Sequence, residues 1–197
     1  MADTLAAGPP VTDPAPEYSL WLLPERAMHE RMAALVATLA PRFATRAFPP
    51  HVTVQGDLRR RLKDVTAAAA SLAQSIAVQR VRVRGIEQSM HYYRAFYLAF
   101  DGFEAFAPLV RRSAQRFGTE HGLSPFPHLS LAYGTLGSDA KDRLATEFAA
   151  HVPPEMVFDR LAIALSGDSV GIASWRVLQT FALAPPSAPA TQGESSP

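Results

Sequence analysis

The chain has no cysteine, which excludes disulfides, thiolate nucleophiles, thiol redox chemistry and every zinc site built on cysteine. Charge of one sign is also lacking: 19 Lys and Arg stand against 18 Asp and Glu, a formal net charge of +1. The basic clusters Arg59-Arg60-Arg61 with Lys63, Arg80/Arg82/Arg84 and Arg111/Arg112/Arg116 therefore read as solvated faces with a mild attraction for phosphates, not as a nucleic-acid groove. No apolar run reaches the roughly 18 residues of a membrane span. The opening MADTLAAGPPVTDPAPE has neither the basic start nor the apolar core of a signal peptide, so a cytoplasmic protein without membrane partners is expected. A zincin motif is absent too, because His29-Glu30 is followed at position 33 by alanine instead of histidine. No metal or organic cofactor is expected.

What is present suffices for a core, since 48% of the 197 residues are hydrophobic. Residues 1–16 and 185–197 are rich in Pro, Ala, Ser and Gly and read as flexible tails around a single domain over 17–184. YSLWLLP (18–24) reads as a buried strand, and Met28, Met32, Leu35, Val36 and Leu39 give helical spacing over 25–40, closed by Pro41. FPPHVTVQG (48–56) is a strand, 60–76 an Ala-rich amphipathic helix, and VQRVRVRGI (78–86) an alternating strand.

The same order then recurs. HYYRAFYLAF (91–100) reads as a strand, and 103–121 as a helix that tolerates Pro108 near its first turn. PFPHLSLAYG (125–134) follows as a strand, then a helix over 140–150 capped by Ser138, then the strand MVFDRLAIALS (156–166). Pseudo-repeats over 18–86 and 91–166 imply a bilobal, duplicated α+β fold. Two antiparallel sheets would carry helices on their outer faces and leave a central cleft between them. An extra strand within 174–184 should pair with its neighbour across the SGDSVG turn.

The two proline-histidine strands carry the chemistry. On its own, PFPHLSLAYG describes a half-exposed strand with His128 and Ser130 on one face. FPPHVTVQG repeats the pattern with His51 and Thr53, each histidine again behind a proline. Structural histidines have no reason to recur with a hydroxyl two residues on. Hydrolysis of a phosphodiester needs a base for water, an acid for the departing alkoxide and donors for the phosphoryl oxygens. Histidine suits both proton roles because its pKa of ~6.5 lies near working pH. Residues two apart on a strand are ~6.6 Å apart, so Thr53 and Ser130 can hold non-bridging oxygens while His51 and His128 take the axial positions.

With its H-V-T-V and H-L-S-L pair, the chain resembles the two-histidine (2H) phosphoesterases over residues 18–184. The S-L-W-L-L-P opening and the H-L-S-L-A-Y-G form look most like the cyclic nucleotide phosphodiesterase group. The resemblance implies His51 and His128 as catalytic residues, Thr53 and Ser130 as phosphate-binding hydroxyls, and Tyr133 as a further phosphate contact. It implies hydrolysis of a 2′,3′-cyclic nucleotide, or of the 1″,2″-cyclic phosphate of ADP-ribose, to a phosphomonoester. The expected partner is this small molecule, acted on by a monomer. Which histidine is the base depends on substrate polarity and stays open.

Trp21, Tyr92, Tyr93 and Tyr97 are candidates for stacking on a base, with a core role equally open to each. Arg94 could meet a second phosphate, but a solvated position is expected. The rival enzyme is an RNA-end 2′,3′-cyclic phosphodiesterase or 2′-5′ RNA ligase acting on RNA ends with the same histidines. The rival of another class is a non-catalytic phosphate-binding module. GDSVG (167–171) matches the G-x-S-x-G of serine hydrolases, but a strand follows it and the last histidine is His151, so it reads as a hairpin turn. His29, His91, His121 and His151 read as exposed or capping.

Overall fold

The computed structural model describes residues 16–185, so the tails expected at 1–16 and 185–197 lie outside it save for their innermost residues. Among these residues seven strands and four α-helices follow one another: β1 (Tyr18–Pro24), α1 (Arg26–Leu39), β2 (Val52–Leu58), α2 (Leu62–Gln74), β3 (Gln79–Gln88), β4 (Phe96–Asp101), α3 (Phe106–Phe117), β5 (His128–Ala132), α4 (Ser138–Phe148), β6 (Glu155–Leu165) and β7 (Arg176–Ala182). The helices form where apolar residues recur every three or four positions. α1 buries Met32, Leu35, Val36 and Leu39, and α2 buries Val65, Ala69 and Leu72, with alanines that let it lie close to the sheet.

Local chemistry sets the helix ends. Pro108 is the third residue of α3, where its missing N–H costs no intrahelical bond. α3 stops at Phe117, short of the expected 121, because Gly118 takes a left-handed φ of 64° and donates its N–H to the Ala114 carbonyl. At α4, extended Gly137 is the capping residue and Ser138 is already helical, without a side-chain cap bond.

The expectation of two separate sheets is corrected. All strands belong to one sheet in the order β1-β2-β5-β4-β3-β6-β7, and β1 also pairs with β6, closing the first six into a barrel. Every pairing between these seven strands is antiparallel. Closure satisfies backbone groups that two small open sheets would leave unpaired at their edges. β7 adds to β6 outside the barrel, as expected, across a connection that contains a short helical turn at Ile172–Ser174.

The duplication survives inside this single sheet. Exchanging β1 with β4, β2 with β5 and β3 with β6 leaves the closed pairing pattern unchanged. β2 meets β5 at one residue pair, Val52 opposite Leu129, each the residue after its motif histidine. The pseudo-twofold therefore passes through that pair, and antiparallel register brings each histidine to the level of the other strand's hydroxyl residue. One face of the sheet packs on the helices through Leu20, Leu22, Val52, Val54, Leu129 and Leu131. By alternation, Trp21, Thr53, His128 and Ser130 face the other way.

Candidate active site

A cleft of about 400 Å³ opens on that second face, and His51, Thr53, His128, Ser130 and Tyr133 all line it. The five residues singled out from the sequence are brought together.

Both histidines are held alike. His51 Nδ1 lies 2.6 Å from the carbonyl oxygen of Pro49, and His128 Nδ1 lies 3.0 Å from that of Phe126. A carbonyl can only accept, so each Nδ1 carries the proton and each Nε2 is the free nitrogen. The contact reaches back two residues in both motifs, across the proline that precedes each histidine. That proline's ring fixes φ and favours extended backbone before it.

Each ring is also backed by an aromatic from an equivalent place. Trp21 pairs with Thr53 across β1 and β2, as Tyr97 pairs with Ser130 across β4 and β5. The Trp21 indole lies flat on His51, centroids 3.7 Å apart and planes 11° apart. Tyr97 meets His128 edge-on at 5.4 Å and hydrogen-bonds Glu87 through its hydroxyl. Both aromatics are buried, so they support the histidines instead of offering an open face to a base.

Burial dominates the titration of the pair. It drives the His51 pKa down to about 3 against the opposing Pro49 hydrogen bond, with the nearby His128 adding to the drop. His128 falls to about 4, again through burial against its Phe126 bond, with the Arg94 charge beside it. At neutral pH both imidazoles are uncharged in the free cleft. Tyr133 is pushed up by burial, which outweighs the Ser130 hydrogen bond, and stays a phenol able to donate. It stacks on Phe48 at 4.0 Å.

The hydroxyls differ. Ser130 Oγ donates to the Tyr93 carbonyl at 3.2 Å, whereas Thr53 makes no side-chain hydrogen bond among the described residues. One wall of the cleft is Gly122–Pro125, pressed onto β2 by a bond from the Gly56 N–H to the Gly122 carbonyl. Gly122 has φ +74°, and a Cβ there would sit 2.2 Å from the Gly56 oxygen, so only glycine fits.

Several cleft positions escape a strand-by-strand reading. Residues 91–95 are not strand: Tyr92–Arg94 form a short helical turn before β4, which lifts Tyr93 and Arg94 into the cleft lining. Arg94 is thus not simply solvated as expected. Trp175, after β6, lines the cleft with its ring nearly parallel to that of Tyr93, 20° apart at 6.3 Å. Neither position carries a motif. His91, expected to be merely exposed or capping, is exposed and also borders the cleft.

Ser169 of the GDSVG stretch has a structural role. Ser169 donates its hydroxyl to buried Glu17 at 2.7 Å and its N–H at 3.1 Å, and Arg59 binds the same carboxylate. A serine committed to a carboxylate with no histidine beside it is not an activated nucleophile. Among the described residues, no group of three or more His, Asp or Glu side chains is arranged to hold a metal ion. Nor is any helix among them long and apolar enough to cross a membrane.

The model of the 2′-5′ RNA ligase superfamily matches residues 22–168, most of the chain and both histidine motifs. The chain belongs to that superfamily, the two-histidine phosphoesterases. Among curated proteins no sequence matches it. Solved structures similar to this superfamily member include E. coli LigT in apo form, with TM-score 0.58 and 15% identity over 86% of this chain and 98% of that one. E. coli LigT complexed with 3′-AMP aligns with TM-score 0.56 at 15% identity, over 86% of this chain and 99% of that one. TT0787 of Thermus thermophilus aligns with TM-score 0.54 at 22% identity, over 86% of this chain and 98% of that one. At these identities the likeness is one of fold.

Proposed function

We propose that the protein hydrolyses 2′,3′-cyclic nucleotides, or the 1″,2″-cyclic phosphate of ADP-ribose, to a phosphomonoester, using His51 and His128 as an acid–base couple without a metal ion. The observation that carries this is the matched pair of imidazoles in one cleft, each with Nδ1 committed to a backbone carbonyl and Nε2 free.

In this reading one Nε2 takes a proton from water as its oxygen attacks phosphorus. The opposite imidazolium gives its Nε2 proton to the ribose oxygen whose bond to phosphorus breaks. The couple ends with its proton on the other histidine. Thr53, Tyr133 and Ser130, the last turning from the Tyr93 carbonyl, donate to the non-bridging oxygens as charge builds there. The arriving phosphate anion raises the histidine pKa values, so that one ring is charged in the complex although both are neutral before it.

A second reading, action on a cyclic-ended RNA as a small partner of the same cleft, is favoured by the description of the superfamily itself. A product assay on 2′,3′-cyclic mononucleotides beside a cyclic-ended oligonucleotide separates the two. Comparable or faster turnover of the mononucleotides supports the first reading, and strong preference for the oligonucleotide supports the second. A phosphate-binding module without catalysis would bind both and turn over neither.

A further inference from the structure

Arg94 is the one permanent cation among the described residues that line the cleft. Its guanidinium makes no hydrogen bond or salt bridge among those residues, and its Nε is sealed from solvent without a partner. The group sits over the Phe126 ring, 4.8 Å from the centroid, and that ring is in turn 5.1 Å from the His128 ring. It is therefore a fixed charge two ring spacings from His128, held by packing and left without an anion. Asp57 and Asp168 line the same cleft but neither pairs with it. His91 precedes it on the same turn, its carbonyl accepting the Arg94 N–H at 3.0 Å, and its ring also borders the cleft.

The cation is also off the symmetry axis. Apart from Tyr133, whose equivalent is Gly56, the groups around the reaction centre come in pairs: His51 with His128, Thr53 with Ser130, Trp21 with Tyr97. Counting back from Tyr97 as from Trp21, the counterpart of Arg94 is Tyr18, a buried strand residue. A charge on one side only gives the cleft a direction.

We propose that Arg94, with His91 beside it, forms a subsite for a second phosphate on the 5′ side of the substrate, so that a nucleotide carrying a 5′-phosphoryl group binds more tightly than one without it. This rests on the reading of the cleft as a nucleotide cyclic-phosphate site. Arginine suits the role because it stays charged and presents a planar fork to phosphate oxygens. An internucleotide phosphodiester and a pyrophosphate share this chemistry.

Binding tests it without requiring turnover. Calorimetry should show adenosine 3′,5′-bisphosphate binding the wild-type protein roughly tenfold or more tighter than adenosine 3′-monophosphate, as a charge-assisted phosphate contact gives. Arg94→Gln should close that gap to within about threefold, whatever it does to 3′-monophosphate affinity itself, and Arg116→Gln, on the exposed face of α3, should leave the gap intact. The subsite is overturned if the bisphosphate binds no tighter, if the gap survives Arg94→Gln, if Arg116→Gln closes it equally, or if Arg94→Gln weakens both ligands alike. A gap of the expected kind in a protein that hydrolyses no cyclic end would leave the subsite standing and remove the hydrolytic reading. Comparing turnover of a cyclic-ended dinucleotide and ADP-ribose 1″,2″-cyclic phosphate then names the source of the second phosphate.

Discussion

Val52 faces Leu129 across the one residue pair that joins β2 to β5. Each follows its motif histidine, so this pair is where the two halves of the duplication meet and where the symmetry of the cleft originates. Both side chains are fully buried in the core beneath it. Packing here sets the spacing of the two imidazoles. Val52→Ala and Leu129→Ala should each lower stability, Leu129→Ala by about 2–5 kcal/mol and Val52→Ala by less. Urea titration measures both, and a change under 0.5 kcal/mol for Leu129→Ala would contradict this packing.

Trp21 and Tyr97 are expected to act through the histidines they touch. Trp21→Leu removes the surface against which His51 lies and should lower kcat by about tenfold or more with little change in KM, since misplacing a reacting group affects the transition state. Trp21→Phe keeps a ring there and should recover most of the rate. Steady-state kinetics of the two variants decides between support of the ring and contact with a base, because lost base stacking would instead raise KM.

Folding should weaken in mild acid. The folded-state pKa values of His51 and His128 are lowered to about 3 and about 4, while the unfolded chain titrates near ~6.5. Below that value the unfolded chain binds protons that the folded one refuses, so stability falls as pH drops from about 6.5 toward about 4. The limiting slope is about 1.4 kcal/mol per pH unit for each histidine. Denaturant unfolding at pH 7 and pH 5 should show the loss, smaller in His51→Ala. Equal slopes in wild type and variant would assign the effect elsewhere.

The two hydroxyls proposed to bind phosphate should not be equivalent. Thr53→Val removes a donor with no other bond among the described residues and should cost roughly 2–4 kcal/mol in transition-state binding, as loss of an oxyanion donor does. Ser130→Ala should cost a similar amount in kcat/KM and also loosen the Tyr92–Arg94 turn, whose Tyr93 carbonyl it holds. Faster amide hydrogen exchange around that turn in Ser130→Ala, and not in Thr53→Val, is the expected signature.

Much of this was legible before the structure. The repeated proline-histidine-apolar-hydroxyl pattern located His51, Thr53, His128 and Ser130, because strand alternation puts i and i+2 on one face whatever the tertiary context, while Tyr133 came from the family resemblance alone. Helices α1 and α2 and strands β1, β3, β6 and β7 follow their apolar periodicity. The closed sheet was not legible, because β1 pairing with β6 and β2 with β5 depends on long-range neighbours that no local pattern encodes. The stretch 91–95 misleads because aromatic residues favour strands, while its backbone turns before β4. Arg94 and Trp175 reach the cleft from connections between elements, where no periodicity points to a face.

His51 and His128 are proposed to work as one acid–base couple on a cyclic phosphate. The most direct test is kcat/KM for a 2′,3′-cyclic mononucleotide, with chelator present, in the wild-type protein, His51→Ala, His128→Ala and the double variant. The account predicts a loss of about 10²–10⁴ for each single variant and little further loss in the double, because neither proton transfer helps without the other. Substantial activity in either single variant, or loss of wild-type activity on adding chelator, would contradict it.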